Sequence, residues 1–300
     1  MIGLETARSF YSRIPQWVDE FIEFPGFPGI HEDAIEIRKI APFIEVCQDK
    51  SFDAILQMSD GVDTIAQALM EVLGVKQIIT RGPAPNTFEN EVAKSLELVG
   101  VLTGESAVSR DLYFPLVDSD HLAANALLES RNIKRNEYIC FHPSADCHNE
   151  CWPLPFFAMV ANALAWMGFK IIITGAEGDE QINRAFALTI RASSLDVSRL
   201  RIPYETQASI LQGARLMIAN ESYLSVLAAA VGVSSVVLVG EGTETSRARP
   251  SARSSTRLAP LNPFLHRVLS SPFGVHPEDV IEAARRLLKL MPEAPSACPG

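Results

Sequence analysis

The sequence predicts an α/β protein whose second half is a parallel sheet covered by helices on both faces. Three observations lead there. Apolar runs without polar alternation recur along that half: "YICFH" (Tyr138–His142), "FKIIITG" (Phe169–Gly175), "RLMIAN" (Arg215–Asn220) and "SSVVLVG" (Ser234–Gly240). Strands apolar on both sides are strands buried on both faces. Between them lie segments with apolar residues at helical spacing, and the strict strand–helix alternation is the order that builds a parallel sheet.

Element by element, "FDAILQM" (Phe52–Met58) reads as a strand ending in the turn "SDG". A helix follows through "TIAQALMEVLG", where Gly74 is a natural stop. "KQIIT" is a short strand, "RGPAPNT" a breaker-rich loop, and "ENEVAKSLELVG" (Glu89–Gly100) a second helix. "EFPGFPG" (Glu23–Gly29) is a rigid Pro/Gly loop. Through "YFPLV" and the helix "SDHLAANALLESRNI" the chain passes to a second domain, giving expected domains of 1–118 and 119–290. There "LPFFAMVANALAWMG", "DEQINRAFALTI", "TQASILQGA" and "SYLSVLAAAVG" are the helices between the four strands. "PEDVIEAARRLLKL" closes the domain, with proline at its start, acids in its first turn and bases in its last, as the helix dipole prefers. The tail 291–300 is expected to be disordered.

The bulk numbers bound the function. Three hundred residues at 47% hydrophobic suffice for two domains. A net charge of −10 excludes a general nucleic-acid binder, which needs clustered bases, but not a local site for an anionic small ligand. Five cysteines give no disulfide framework and fit a reducing cytoplasm. "MIGLETARSFYSR" lacks the pattern of a signal peptide. The most apolar run, Leu224–Gly240, is broken by Ser225, Gly232, Ser234 and Ser235, so it reads as helix then strand and not as a membrane span.

In open parallel sheets ligands bind beyond the C-terminal ends of the strands. That rule selects four loops: "HPSADCHNECWP", "TGAEGDE", "NESY" and "GEGTETSRARP". The first holds His142, Cys147, His148 and Cys151, all zinc ligands by type. No second pair follows at useful spacing, so the expectation is a binding loop without metal. In the second, Glu177, Asp179 and Glu180 sit at a helix start, either as favourable dipole partners or as contacts for ribose hydroxyls. No G-x-S-x-G, Walker loop or Ser-His-Asp grouping is visible.

The order "HPSA … WPLPFFAMVANAL … GFKIIITGAEGDE … ILQGARLMIANES … LAAAVGVSSVVLVGEGT … RP" resembles the C-terminal domain of glycosyltransferase family 9, which includes the ADP-heptose:lipopolysaccharide heptosyltransferases. The resemblance runs from about Ile2 to Leu290 and is most specific between Tyr138 and Pro250. It implies the GT-B fold, two Rossmann-like domains with parallel sheets facing across a cleft, the first lacking its opening strand-loop-helix unit. It implies an inverting, metal-independent transferase of lipopolysaccharide biosynthesis that takes an ADP-heptose-like nucleotide sugar as co-substrate, uses no other cofactor, and passes the sugar to a glycan or lipid-linked acceptor. The implied location is cytoplasmic, extending to a peripheral position at the inner membrane face.

The same resemblance implies that His142, Ser144, Gly175, Glu177, Glu221, Ser222, Gly240 and Thr243 surround the donor. The family's Asp-Ser/Thr-Gly-x-x-His signature falls on Glu221, Ser222, Tyr223 and Val226, so a tyrosine replaces the glycine and a valine the histidine. Two positions before Trp152, where the family carries Lys or Arg for phosphate, stands Glu150; Arg247 and Arg249 are the compensating bases. Asp60 is the substitute general base, or else a turn residue before Gly61. These departures carry the alternative expectation of a catalytically degenerate member that binds a glycan or a protein partner.

Overall fold

The computed structural model describes residues 1–3, 5–25, 37–60, 64–81, 90–105, 111–144, 151–239, 262, 264–270 and 274–289. It divides into two compact units. The first comprises Met1–Thr87 with Ala93–Val108, the second Phe88–Val92 with Ser109–Gly300. The second unit takes up the chain again at Ser109. Residues 111–118 pack with the second unit: the Phe114 N–H donates to Ala230 O at 3.0 Å, and Phe114 and Leu116 lie against its core.

The first unit holds two short parallel pairs. β1 (Ile2–Gly3) pairs with β2 (Ile22–Glu23), and β3 (Ile55–Asp60) with β4 (Ile78–Arg81). Helices α1 (Arg8–Tyr11), α2 (Ile37–Gln48), α3 (Thr64–Leu73) and α4 (Glu91–Thr103) accompany them. Gly74 ends α3 at φ +63°, the left-handed conformation that glycine adopts without strain. A small core gathers Ile22, Phe43 and the fully buried Cys47.

The second unit carries the sheet foreseen from sequence. Its strands are β5 (Tyr138–His142), β6 (Lys170–Ile173), β7 (Ser194–Asp196), β8 (Leu216–Asn220), β9 (Ser235–Leu238) and β10 (His266–Leu269). The order across the sheet is β10-β9-β8-β5-β6-β7, and every pairing is parallel. The chain therefore builds outward from β5 through β6 to β7, returns to β8 beside β5, and builds out the other way. That is the doubly wound Rossmann order, and its reversal lies between β5 and β8.

Side chains alternate across this sheet with period two. Ile139, Phe141, Ile171, Ile173, Leu216, Ile218, Val236 and Leu238 enter one core, with α6 (Leu154–Trp166), α7 (Glu180–Thr189) and α10 (Pro277–Leu287). Tyr138, Cys140, Ile172, Met217 and Ala219 enter the other, under α5 (Asp118–Glu129), α8 (Tyr204–Gln212) and α9 (Tyr223–Ala230). Burial on both faces explains why these strands read as unbroken apolar runs. No helix among the described residues is long and apolar enough to cross a membrane.

A candidate ligand site at the switch point

The ends of β5 and β8 lie side by side, with His142 in register with Ala219, so the chain segments leaving them flank the switch point. Several buried polar side chains fix that edge. Asn220, 1% exposed, receives the Trp152 N–H at Oδ1 (3.1 Å) and donates from Nδ2 to Pro143 O (2.7 Å). One amide thus clamps both ends of the loop that leaves β5. Trp152 in turn donates from Nε1 to Val275 O at 2.8 Å and packs edge-on against Phe156 and Phe157. His142, the last residue of β5, sets Nδ1 3.1 Å from Thr174 O. A carbonyl only accepts, so Nδ1 carries the proton. Gln207 Nε2 donates to Gly175 O (2.9 Å) and ties the end of β6 to α8.

The loop after β6 spends its polar groups on itself. Asp179 Oδ2 accepts the Ala176 N–H at 2.8 Å, and Gly178 turns the chain at φ +106°. Glu177 is exposed, 3.9 Å from the equally exposed Arg201, a pair that contributes little. Gly175 is required by packing: a Cβ there would lie 2.6 Å from Asn183 Nδ2. Asn183 itself donates to Thr174 O at 3.2 Å, while its buried Oδ1 has no partner.

Beyond β8, Glu221 is half-buried and its N–H donates to Leu238 O at 2.9 Å. Ser222 is the cap residue of α9, fully buried, and its Oγ has no hydrogen-bond partner. The Ser222 N–H is taken by Ser225 Oγ at 3.3 Å, and Ser225 donates back to Ser222 O at 2.7 Å. A helix start at the switch point, with its N–H groups and an unpaired hydroxyl, is a place for an anion. Tyr223, the first residue of α9, lays its ring edge-on to His142 (centroids 5.9 Å) and stacks on Tyr204 (5.9 Å, 25°). Tyr204, first in α8, also meets Phe114 at 6.0 Å, and burial pushes its phenol up to about 12. Val226 is half-buried one turn into α9.

The sequence matches the model of glycosyltransferase family 9 (heptosyltransferase) over residues 83–263. The chain belongs to glycosyltransferase family 9. Three solved structures show the same two-domain GT-B fold. The family 9 glycosyl transferase from Veillonella parvula DSM 2008 has a TM-score of 0.70 at 13% identity, covering 94% of this chain and 87% of that one. The E. coli ADP-heptose lipopolysaccharide heptosyltransferase II has a TM-score of 0.66 at 16% identity, covering 96% and 88%. The E. coli heptosyltransferase WaaC with ADP-2-deoxy-2-fluoro heptose has 0.56 at 17% identity, covering 95% and 88%. At such identities the likeness is one of fold. No curated protein sequence matches this one.

In this family 9 chain, His142, Ser144, Gly175, Glu177, Glu221, Ser222 and Tyr223 all fall on the C-terminal edge of the second sheet. Glu150, Gly240, Thr243, Arg247, Arg249, Cys147 and His148, with the tail 291–300, lie outside the described residues. Asp60 ends β3 in backbone register with Arg81, and its side chain also lies outside them. Asn220, Gln207 and Tyr204 are site residues that sequence reasoning missed. Asn220 stood within "NESY", but nothing local shows its two distant partners. A buried Ser235–His266 pair (2.8 Å) at the opposite end of the strands is a packing element: burial holds His266 down to about 4, far from the ligand edge.

Proposed function

We propose that this family 9 member is a heptosyltransferase-type glycosyltransferase, moving a sugar from an ADP-heptose-like nucleotide sugar to a cell-envelope glycan or related acceptor. The observation that carries the reading is the fully buried, unpartnered Oγ of Ser222, the residue that precedes α9 at the switch point. It sits beside loops already held in place by Asn220, Gln207 and His142. Two relatives of the same fold are described as acting on, or binding, ADP-linked heptose.

In the reaction an acceptor hydroxyl forms a bond to the sugar's anomeric carbon as the bond to the nucleotide diphosphate breaks. The diphosphate leaves with the bonding pair, and a carboxylate takes the acceptor proton. Asp60 is the candidate for that base. The start of α9 with Ser222, and Arg247 and Arg249, would stabilise the departing charge in place of a metal. This reading puts the chain in the cytoplasm, where a lipid-linked acceptor would bring it to the membrane face.

Calorimetric titration with ADP-heptose, ADP and other nucleotide sugars tests it, in the presence and absence of EDTA. Micromolar binding of an ADP-linked ligand, unchanged by EDTA, supports the reading. No binding to any nucleotide, in this chain and in Glu150→Lys, refutes it. The second reading, a degenerate member that binds a partner, is favoured by the tyrosine seated at the start of α9. Binding gained only in Glu150→Lys supports that one, because reversing a charge about 4 Å from phosphate changes the interaction by several kcal/mol at an effective dielectric of 20.

A further inference from the structure

Three elements meet at the ligand edge of the second unit: the end of β5, the start of α8 and the start of α9. Each contributes a ring. Tyr204 and Tyr223 are both first helical residues, and their rings are nearly parallel, 25° apart with centroids at 5.9 Å. On the other side the Tyr223 ring meets His142 edge-on at 72°. Phe114 backs Tyr204 and is anchored by its own N–H to Ala230 O. The Tyr223 ring therefore bridges from the mouth of α9 to the end of β5. Directly before it in the chain, the Ser222 hydroxyl is sealed from solvent without a partner. A buried hydroxyl without a partner destabilises the state it is in, so a state in which something reaches it is favoured by comparison.

The charges at this edge point the same way. The described acids there include Glu177, Asp179, Glu180, Asp196, Glu205 and Glu221, against Arg199 and Arg201 among the described bases. Among the described side chains that balance does not favour a diphosphate. In this structure the Tyr204 and Tyr223 rings stand at the starts of α8 and α9, beside the end of β5.

We propose that Tyr223, held between Tyr204 and His142, is a plug that closes the start of α9 and controls entry of a diphosphate. The inference rests on the nucleotide-sugar reading of this site, and two readouts separate the two ideas. The first needs no ligand. In a background with Cys147, Cys151 and Cys298 changed to Ser, Ser222→Cys places a thiol under the plug; Cys47 and Cys140 are fully buried. Its rate of modification by a maleimide is compared with that in Ser222→Cys/Tyr223→Gly and Ser222→Cys/Tyr223→Phe. The plug requires labelling at least tenfold faster with glycine and unchanged with phenylalanine, which keeps the ring. Tyr204→Ala, which removes the stacking partner and leaves α9 untouched, should also speed labelling.

The second readout is calorimetric binding of ADP to the otherwise unmodified chain and to Tyr223→Gly. At least tenfold tighter binding in Tyr223→Gly supports the proposal. Faster labelling with no ADP binding in either protein keeps the plug and overturns the nucleotide reading. Equal ADP affinity in the two proteins overturns the plug as a control on entry and keeps the nucleotide reading. Labelling unchanged in both Tyr223→Gly and Tyr204→Ala overturns the plug whatever ADP does.

Discussion

Removing the Asn220 amide tests whether the loop leaving β5 is held as described. Asn220→Ala strips the acceptor of the Trp152 N–H and the donor to Pro143 O, bonds of 3.1 and 2.7 Å inside a site that is 1% exposed. Each backbone group left buried without a partner costs roughly 1–3 kcal/mol. Both together give about 2–6 kcal/mol, less whatever water enters. Asn220→Asp should be no better at neutral pH, because a carboxylate still accepts from Trp152 but turns a negative oxygen toward the Pro143 carbonyl. The assay is urea and thermal unfolding followed by fluorescence in a Trp17→Phe background, so that Trp152 and Trp166, both in the second unit, report. For a unit of this size a loss of about 3 kcal/mol should lower Tm by roughly 6–12 °C. A loss below about 0.5 kcal/mol in Asn220→Ala would refute the clamp, since it would mean that neither backbone group depends on this side chain.

His266 gives a pH signature. Burial lowers it from 6.5 to about 4, so between those values the unfolded chain binds a proton that the folded one refuses. Stability is therefore level above pH 6.5 and falls with acidification toward pH 4, by up to about 1.4 kcal/mol per pH unit. Urea midpoints at pH 7.5, 6.5 and 5.5 should show this slope relative to His266→Gln, and equal slopes would sink it. At the other end of the strands from the ligand edge, a Cβ on Gly213 would lie 2.5 Å from Tyr138 Oη. Gly213→Ala should cost about 1–3 kcal/mol by overpacking, and adding Tyr138→Phe should recover part of that in a double-mutant cycle; strict additivity would disprove the clash. Asp279 Oδ2 accepts the His276 N–H at the start of α10 (3.2 Å), so Asp279→Ala should cost about 1 kcal/mol in thermal melts, against no change if the cap is idle.

The parts of the fold that sequence reveals are those whose burial is symmetric. β5, β6, β8 and β9 read as unbroken apolar runs because both faces are covered, and the helices between them carry one apolar stripe each. The edge strands β7 and β10 escaped. β7 is three half-buried residues, Ser194–Asp196, and β10 mixes His266 and Arg267 with Val268 and Leu269. α2 is hidden by Pro42, which removes an N–H from the helix interior and mimics a loop signal. At the site, the rule that ligands bind beyond strand ends picked the loops, since strand direction follows from topology. It could not show what holds them: Asn220 acts on residues 68 and 77 positions away, and Tyr204 on a ring in the next helix. Gly175 was expected around a donor, yet the space it leaves is taken by Asn183.

The two positions where the resemblance implies a glycine and a histidine share one helix face, and this bears on how a donor would bind. Tyr223 and Val226 are three apart on α9, neighbours on its surface, and both are half-buried. A glycine and a histidine there would leave a polar, open mouth; a tyrosine and a valine leave an apolar, filled one. The first turn of α9 is meanwhile served internally by Ser225, which takes the Ser222 N–H. The Ser222 N–H is thus served without a ligand. A ligand that needs the open arrangement then binds more weakly by the fraction of time the site is open. If the ring stack holds the open fraction near one in a hundred, an intrinsic micromolar site would titrate at roughly a tenth of a millimolar. On that arithmetic weak binding of ADP-heptose would report the stack and not the absence of a donor site, which is why affinity has to be read beside the accessibility of position 222.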